Sequence, residues 1–533
     1  MQLNLGSANS VSTPLGIRLA GATLIFCLAL MIAVACLRGI WLDEIWSIWA
    51  SRHDIPLRDV FEQRWLKDVH PPLFHAMNWL LEPITGLNII LRRLEELGPV
   101  LIFFLCAYYL SRTYITSAFL TVFSTLFFSN RYMIIYFGEY RSYFLQACLF
   151  SVTMISMYAI SLNMKDFDRR KDLPLAIIFS TSVIFSLNIH YMATFISGIS
   201  LAMFLLDQIR QRHWRWSLWI IGAGLLAAVP LLSFYWLELN NMKATAADLW
   251  IETGFRAAVR MIGDVVRESS LGNLVAAIAA GSVILGLWRE RSEARDDERS
   301  IDQIPWSFVS AMGVALLLAS LALLAINQLK PVIVERYLIS MAPIISTIIA
   351  AVATAPLWSS RLIFIAFLVN AAITATVSAF PELHNQRWYD TARRIRTQID
   401  ACPTTRVYAL APDLEIPYRA SPGQLEVHEW GYRLVARYFR FPVELIQKSD
   451  TAAPLVSREC PTLFWAEHMG RLDMNQLRDA PFARALPGSG LVGATLYRDD
   501  TGFILTLPPR PDAALSPALQ MSLGSTSRRP ASR

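Results

Sequence analysis

The chain has 533 residues, of which 54% are hydrophobic and 17% are charged, with a mean hydropathy of +0.39 and a formal net charge of +6. Soluble globular proteins carry roughly a quarter charged residues, so this composition excludes an ordinary soluble enzyme, a disordered chain and a nucleic-acid-binding domain. A modest basic excess is typical of the cytoplasmic loops of membrane proteins. The sequence therefore predicts an α-helical protein that spans a membrane many times.

Apolar runs long enough to cross a bilayer recur through residues 1–381. A helix needs roughly 20 apolar residues to span the hydrocarbon core, and its backbone must be hydrogen-bonded within the segment itself. About eleven runs meet this need: 18–39, 96–111, 114–135, 143–162, 173–189, 191–206, 217–236, 272–288, 306–326, 337–355 and 361–380. Because no small-residue cleavage site follows the first run, it is expected to stay as an anchor helix rather than be removed as a signal peptide.

The loops between these runs predict the orientation of the chain. Residues 164–173, 207–216 and 289–300 are rich in Arg and Lys, which places them in the cytoplasm. Segment 71–86 leaves two alternatives, a membrane crossing or an amphipathic helix lying in the interface. Polar residues within it are costly in lipid, so the interfacial alternative is favoured. Residues 41–95 then form one long extracytoplasmic loop, on the same side as the C-terminal part.

The chain changes character after Pro381, where charged residues increase and short runs typical of strands appear. The run 493–507 has a DDTG turn between two apolar stretches, which predicts a β-hairpin. We expect a small extracytoplasmic α/β domain over 382–510, with further strands at 405–412 and 461–467. A tail rich in Pro, Ser and Arg follows, at 511–533, and is expected to be disordered. Cys402 and Cys460 lie in the domain and would form a disulfide outside the cytoplasm.

The first predicted outer loop holds the strongest group of candidate catalytic residues, in the stretches WLDEIWSIWA (41–50) and LKDVHPPLFHAMNWL (66–80). Asp43 and Glu44 directly follow the first apolar run. Carboxylates at that depth are expected to be partly desolvated, which favours them as proton acceptors. Two simpler alternatives exist: the acids end a membrane helix in water, and the tryptophans of this loop form an interfacial belt.

This loop resembles the first extracytoplasmic loop of the GT-C glycosyltransferases. The branch in question contains the protein O-mannosyltransferases, the aminoarabinose transferases acting on lipid A and the rhizobial lipopolysaccharide galacturonosyltransferases. The resemblance lies in the Asp43-Glu44 pair and in HPPLFHAMNWLL (70–81), which is similar to the family pattern HPPLYYWLL. Weaker similarities occur at 138–145, 188–195, 334–345 and 386–395. The C-terminal domain carries no motif of the family.

The resemblance implies an inverting transfer of a sugar from a polyprenyl-phosphate-linked donor to an acceptor hydroxyl on the extracytoplasmic face. It implies that Asp43 is the general base and that Glu44 orients the acceptor or binds a divalent cation. Mg²⁺ and Mn²⁺ suit such oxygen ligands, although the spacing of the acids does not require a metal. Asp68 and His70 are further candidate catalytic residues. The acceptor stays open among lipid A, lipopolysaccharide, another envelope glycan and a protein.

The departing group of such a reaction is a phosphate, whose growing negative charge requires nearby cations. The candidate phosphate ligands are Lys67, Arg92, Arg93, Arg141 and Arg336. The candidate residues of the substrate cleft are Trp41, Glu139, His190, Tyr191 and Glu335. For each arginine the alternative is contact with lipid headgroups or an ion pair that positions a loop. For His190 the alternative is a capping or packing role.

The resemblance implies the inner membrane of a bacterium, with the N-terminus in the cytoplasm and the active site and C-terminal domain in the periplasm. Segment 238–271 shows near-helical spacing of apolar residues and is expected to form an interfacial helix that covers the site. A transporter or flippase of lipid-linked sugars and a noncatalytic scaffold stay open as alternatives. Coupled carriers usually place ionisable groups near the middle of the membrane. Here the acids gather at one predicted face, which favours an enzyme.

Overall fold

The structure is a computed structural model that describes residues 14–68, 70–162, 167–247, 254–270, 281, 304–331, 333–359, 361–410, 422–446, 456–467, 493–498 and 502–509. These residues form two compact units. The helical unit contains the residues up to Arg38 together with Ala50–His384. The C-terminal unit contains Gly39–Trp49 together with the residues from Asn385 onward. The predicted tail, 511–533, lies outside the described residues, and so does the predicted span 272–288 except for residue 281.

All regular secondary structure described in the helical unit is helix. In chain order the helices up to residue 384 are α1 Pro14–Leu37, α2 Leu42–Ala50, α3 Leu57–Gln63, α4 Leu73–Thr85, α5 Ile89–Leu94, α6 Leu97–Thr113, α7 Ser117–Ser129, α8 Arg131–Phe137, α9 Ser142–Leu162, α10 Arg169–Leu187, α11 Tyr191–Arg210, α12 Trp214–Ala247, α13 Phe255–Ser270, α14 Trp306–Leu329, α15 Met341–Ser359 and α16 Arg361–His384. Short 3₁₀ turns occupy Trp65–Lys67 and Glu335–Leu338. Of these helices, α2 belongs to the C-terminal unit up to Trp49.

Six of the described helices, α1, α9, α11, α12, α14 and α16, are long and apolar enough to cross a membrane. The count becomes seven if the bent pair α7 and α8 forms one span. The predicted runs 96–111, 173–189 and 337–355 are also helical, as α6, α10 and α15. In five of the six helices, only 22–39% of the most apolar 18-residue stretch is buried inside the protein, which leaves wide surfaces for lipid. In α9 the buried share is 94%. The prediction of a multi-spanning helical protein is confirmed.

Two details of the helical unit refine the sequence prediction. The run 114–135 is bent by 61° between α7 and α8, because Asn130 adopts an extended backbone and its side chain caps α8 at Tyr132 N, 2.8 Å away. Helix α4 has 13 residues, about 20 Å of length, which is too short for a hydrocarbon core of roughly 30 Å. Its exposed Leu80 and Ile84 form an apolar surface, which favours the interfacial alternative for 71–86.

The C-terminal unit contains a five-stranded mixed sheet with strand order β2-β1-β3-β5-β4. The elements are α17 Trp388–Ala401, β1 Arg406–Leu410, α18 Pro422–Tyr438, β2 Glu444–Ile446, β3 Thr462–Glu467, β4 Thr495–Arg498 and β5 Gly502–Leu507. Strand β1 pairs in parallel with β2 and β3, and β5 pairs antiparallel with β3 and β4. The predicted α/β fold of the C-terminal part and its hairpin are therefore confirmed, whereas its bounds of 382–510 and its extracytoplasmic location stay predictions. Strand β2, with three residues, is too short for its pattern to be recognised.

The structure joins Cys402 to Cys460 by a disulfide, with 5.7 Å between their Cα atoms and a sequence separation of 58. A cross-link of this length removes conformational entropy from the unfolded chain. Replacing both cysteines by serine is expected to cost about 2–4 kcal/mol of unfolding free energy, measured by denaturant titration of the purified protein in detergent. Cys36→Ser, at an unpaired and partly exposed cysteine, is the control. Equal midpoints for the double variant and the control would contradict the prediction.

Candidate active site

The predicted acid pair lies on α2, in the C-terminal unit. Asp43 and Glu44 stand in the first turn of this helix, where acidic side chains interact favourably with the helix dipole. Glu44 is fully buried and Asp43 is partly exposed. Ser47 Oγ donates a hydrogen bond to the backbone oxygen of Asp43 at 3.1 Å. Trp41, another predicted cleft residue, lies 4.6 Å from the guanidinium carbon of Arg387.

Asp68, in the helical unit, is the centre of a buried hydrogen-bonded group. Its carboxylate accepts hydrogen bonds from His70 Nδ1 at 3.1 Å and from His75 Nε2 at 2.6 Å. Because an ionised carboxylate only accepts, both of these ring nitrogens carry protons. When His70 is neutral, its Nε2 therefore holds the lone pair. A carboxylate that fixes the tautomer of a histidine in this way is a recurring feature of catalytic sites.

The charges of this group follow from burial and from its hydrogen bonds. Burial acts to raise the pKa of the Asp68 carboxyl, but the attraction of His70 and the hydrogen bonds from both rings hold that pKa well below its ordinary value. Burial lowers the pKa of His70, against the opposing charge of Asp68, and the nearby charge of Arg141 lowers it further. The group therefore holds an ionised Asp68 carboxylate between two imidazole N–H donors.

Two arginines, two tyrosines and a second histidine are gathered beside His70. The His70 ring lies 4.7 Å from the His190 ring, which is 5.4 Å from the Tyr143 ring and 4.9 Å from the Tyr337 ring. The guanidinium carbons of Arg141 and Arg336 lie 5.8 Å and 5.9 Å from the Tyr143 ring. His190 Nε2 is buried without a hydrogen-bond partner among the described residues. We call His70, His190, Tyr143, Tyr337 and the two arginines the arginine-histidine cluster.

Local structure explains why this cluster is positively charged. Arg141 immediately precedes α9, and His190 is the N-cap of α11, where its Nδ1 accepts from Ala193 N at 3.4 Å. Arg336 lies in the 3₁₀ turn that leads into α15. Helix N-termini carry a partial positive charge and unpaired backbone N–H groups, which adds to the two guanidinium charges. The arrangement suits an anion such as a phosphate.

Among solved structures, the chain is similar to the crystal structure of ArnT from Cupriavidus metallidurans bound to undecaprenyl phosphate. The similarity covers 93% of this chain and 98% of that chain, with a TM-score of 0.50 and 10% sequence identity. The chain has the GT-C fold. It is an integral membrane protein. No protein-family model matches the sequence, and no curated protein sequence matches it.

Within the GT-C fold, three other predicted cleft residues have defined partners in the helical unit. Tyr191 OH donates to Glu238 Oε2 at 2.6 Å. Glu335 Oε1 accepts from the hydroxyl of Tyr132 at 2.7 Å, next to Arg336 in sequence. Glu139 pairs with Arg38, whose Nη2 lies 2.5 Å from the Glu139 carboxylate. These side-chain contacts join Glu238 and Glu335 to tyrosines and Glu139 to Arg38.

The three other candidate phosphate ligands lie in different surroundings. Lys67 is exposed at the end of a 3₁₀ turn. Arg92 is fully buried and donates to Gly86 O, Ser51 Oγ and Tyr140 OH at 2.8–2.9 Å. Arg93 is also fully buried, and its Nη1 donates to the backbone oxygens of Ala35 and Arg38 at 3.0 Å and 2.7 Å. These hydrogen bonds match the alternative role of positioning loops and helix ends.

Sequence reasoning missed Tyr143, Tyr337 and His75 as members of the site. Tyr337 directly follows Arg336, and Tyr143 stands two residues after Arg141. An aromatic residue within two positions of a predicted arginine was therefore an available signal, because guanidinium groups pack on aromatic rings. His75 carries no comparable signal, since its bond to Asp68 depends on the turn between the 3₁₀ segment Trp65–Lys67 and α4.

No group of three or more His, Cys, Asp or Glu side chains within the described ranges has the geometry of a metal site. Asp43 and Glu44 offer oxygen atoms of the kind that Mg²⁺ and Mn²⁺ prefer. However, adjacent residues of a helix do not face each other. A cation bound by this pair would therefore need ligands from elsewhere.

Glu95, between α5 and α6, should make the stability of the protein depend on pH. Burial raises the pKa of its carboxyl to about 7, against the opposing charge of Arg92. The folded state therefore binds this proton more tightly than the unfolded state, so stability falls as pH rises from about 4.5 to about 7. Glu95→Gln should reduce the dependence of the thermal unfolding midpoint on pH, measured in detergent. Glu62→Gln, at an exposed glutamate, should leave that dependence unchanged. An unchanged slope in Glu95→Gln would contradict the prediction.

Proposed function

We propose that this protein is a membrane glycosyltransferase that moves a sugar from a polyprenyl-phosphate-linked donor to an acceptor hydroxyl. The observation that carries the proposal is the arginine-histidine cluster, in which Arg141 and Arg336 gather beside helix N-termini. The GT-C fold supports it, and so does the ligand of the similar structure, since that ArnT is bound to undecaprenyl phosphate. A lipid phosphate is an anion attached to an apolar chain, which suits a cationic group in a membrane protein.

The cluster would bind the phosphate of the donor. Arg141 and Arg336 would supply charge-assisted hydrogen bonds to the phosphate oxygens, and the unpartnered Nε2 of His190 would supply one more donor. These interactions strengthen as the bond between the sugar and the phosphate breaks, because negative charge then builds on the phosphate. Asp68 would hold His70 in one tautomer beside that anion. Lys67, Arg92 and Arg93 stay secondary candidates, with Arg92 and Arg93 acting through the loops they bind.

Asp43 is the proposed general base, because the Asp43-Glu44 pair resembles the acid pair of the GT-C glycosyltransferases. It would take the proton from the acceptor hydroxyl while the hydroxyl oxygen bonds to the anomeric carbon of the donor. The bond from that carbon to the phosphate oxygen breaks, and its electron pair leaves with the polyprenyl phosphate. Attack opposite to the departing group inverts the anomeric configuration. Glu44 would orient the acceptor.

The proposed location is the inner membrane of a bacterium, with both active-site groups on the periplasmic face. The basic loops at 207–216 and 289–300 support this orientation under the positive-inside rule. Lipid A, lipopolysaccharide, another envelope glycan and a protein all offer the required acceptor hydroxyl.

The test uses the full-length protein in proteoliposomes with undecaprenyl phosphate that carries radiolabelled mannose, galacturonic acid or aminoarabinose. Membrane extracts and purified lipid A serve as acceptors. We expect transfer from one of these donors, with release of undecaprenyl phosphate and inverted configuration of the product. The movement of each donor between the two leaflets is measured in parallel. Movement without transfer would replace the proposal with the flippase alternative, and neither transfer nor binding of undecaprenyl phosphate would refute both.

A further inference from the structure

The helix that carries Asp43 belongs to the C-terminal unit, although the rest of that unit begins only at Asn385. Residues Gly39–Trp49 group with the residues from Asn385 onward and not with the helices that precede and follow them. Sequence reasoning treats this stretch as part of the first membrane loop.

Direct packing joins α2 to α18. Gly431, on α18, lies so close to Ile45 that a β-carbon at position 431 would stand 3.0 Å from Ile45 Cγ2 and 3.1 Å from Ile45 Cδ1. Such distances are tighter than ordinary van der Waals contact. The absence of a side chain at Gly431 therefore lets the two helices approach closely at this point.

A second contact joins the start of α2 to the residue before α17. The guanidinium carbon of Arg387 lies 4.6 Å from the centre of the Trp41 ring, within the range of a cation–π interaction. Arg387 has a φ of 46°, an uncommon conformation for a residue with a side chain. A conformation of this kind persists only where the surrounding structure fixes it.

The backbone itself supplies a third contact. Gly39 N donates to Asn385 O at 3.0 Å, and a β-carbon at position 39 would overlap the backbone oxygen of Gln386, 1.7 Å away. Only glycine fits there. The first residue of the α2 segment is thus fixed against the first residues of the C-terminal part of the chain.

These contacts determine the direction in which Asp43 points within its unit. Ile45 lies on α2, whereas Trp41 directly precedes the helix. Asp43 is two residues before Ile45, which places it about 200° away from Ile45 around the helix axis. The face that contacts the C-terminal domain and the face that carries the acid are therefore nearly opposite.

We infer that the C-terminal domain is a positioning element for the proposed general base: it holds α2 at Trp41 and Ile45 and so fixes the orientation of Asp43. Arg387 and Gly431 are then positioning residues rather than catalytic ones. The link to catalysis depends on the proposed function, whereas the packing of α2 on the domain does not. The two parts are tested separately.

Cross-linking tests the packing without any assay of activity. Ile45→Cys with Gly431→Cys, in the full-length protein in membranes, should form a disulfide on mild oxidation, identified by mass spectrometry of the linked peptides. Ser47→Cys with Gly431→Cys is the matched control, because position 47 lies about 200° from position 45 around the helix. Equal disulfide formation in both cysteine pairs, or none between positions 45 and 431, would refute the packing of α2 on α18.

Kinetics test the positioning role. Gly431→Leu and Arg387→Ala should lower the kcat for transfer by up to about 10²-fold, as expected for a small displacement of a reacting group, with the donor KM and undecaprenyl phosphate binding unchanged. Arg387→Lys should restore most of the rate, because a cation again lies over Trp41. Arg437→Ala, at an exposed arginine of α18, is the control. A wild-type kcat in both Gly431→Leu and Arg387→Ala would refute the positioning role. If the disulfide between positions 45 and 431 forms but the unmodified enzyme transfers no sugar, the result counts against the proposed function alone.

Discussion

Asp43→Asn is expected to lower the kcat for sugar transfer by about 10²–10⁴-fold, which is the usual contribution of a general base. Asparagine has nearly the same shape as aspartate but cannot accept the proton of the acceptor hydroxyl. The KM for the polyprenyl-phosphate donor should change little, because the donor phosphate is assigned to the arginine-histidine cluster. Initial rates at several donor concentrations, together with the thermal midpoint of each variant in detergent, provide the measurement.

Asp59→Asn is the matched control for this substitution. Asp59 lies in the same predicted outer loop, in the first turn of α3, and has no assigned role in the reaction, so its variant should transfer at the wild-type rate. A wild-type rate in Asp43→Asn would show that Asp43 is not the base. Glu44→Gln would then be the next variant to measure, since Glu44 is the other acid of the pair.

Arg141→Gln and Arg336→Gln are each expected to reduce kcat/KM by about 10²–10³-fold, as for the loss of one group that stabilises charge in a transition state. Both arginines are assigned to one phosphate, so the loss in the double variant should differ from the product of the single losses. Binding of undecaprenyl phosphate alone should weaken as well, because the lipid phosphate itself is the ligand. Titration with labelled lipid measures this binding separately from the chemical step.

Arg58→Gln provides the control for the loss of a positive charge. Arg58 is exposed on α3 and pairs with Glu62 at 2.9 Å, an interaction worth little in water. If Arg58→Gln and Arg141→Gln had equal effects, a general loss of charge would explain both, and the phosphate assignment would fail. Strictly multiplicative effects of Arg141→Gln and Arg336→Gln would likewise argue against a shared phosphate.

Apolar run length was sufficient to predict the helical body of this protein. A segment in lipid must satisfy its own backbone hydrogen bonds, so a long apolar run has few alternatives to a helix. The bend between α7 and α8 was not predicted, because it depends on the side chain of Asn130 bonding to the backbone rather than on apolarity. In the C-terminal unit, the short apolar runs of β1 and β3 and the DDTG turn were informative, whereas β2 was too short.

The candidate site was predictable where charged residues stand next to helix starts. Arg141, Arg336 and His190 were all selected from sequence, and the structure brings them together around Tyr143. Sequence could not indicate that Arg92 is enclosed by hydrogen bonds to loop residues, since that depends on how distant helices pack. The grouping of α2 with the C-terminal unit was inaccessible for the same reason.

Helix α9 has almost no surface available to lipid, since 94% of its most apolar 18-residue stretch is buried inside the protein. Its mean hydropathy, 1.6, is lower than the 2.6 of α1, and its polar groups pair inside the protein, as Gln146 does with Ser340 at 2.8 Å and Thr153 with Ser182 at 2.9 Å. Changes in bilayer thickness or lipid composition act first on helices that meet the lipid. The outer helices can therefore adapt to different membranes while α9, which begins next to Arg141, keeps its environment constant.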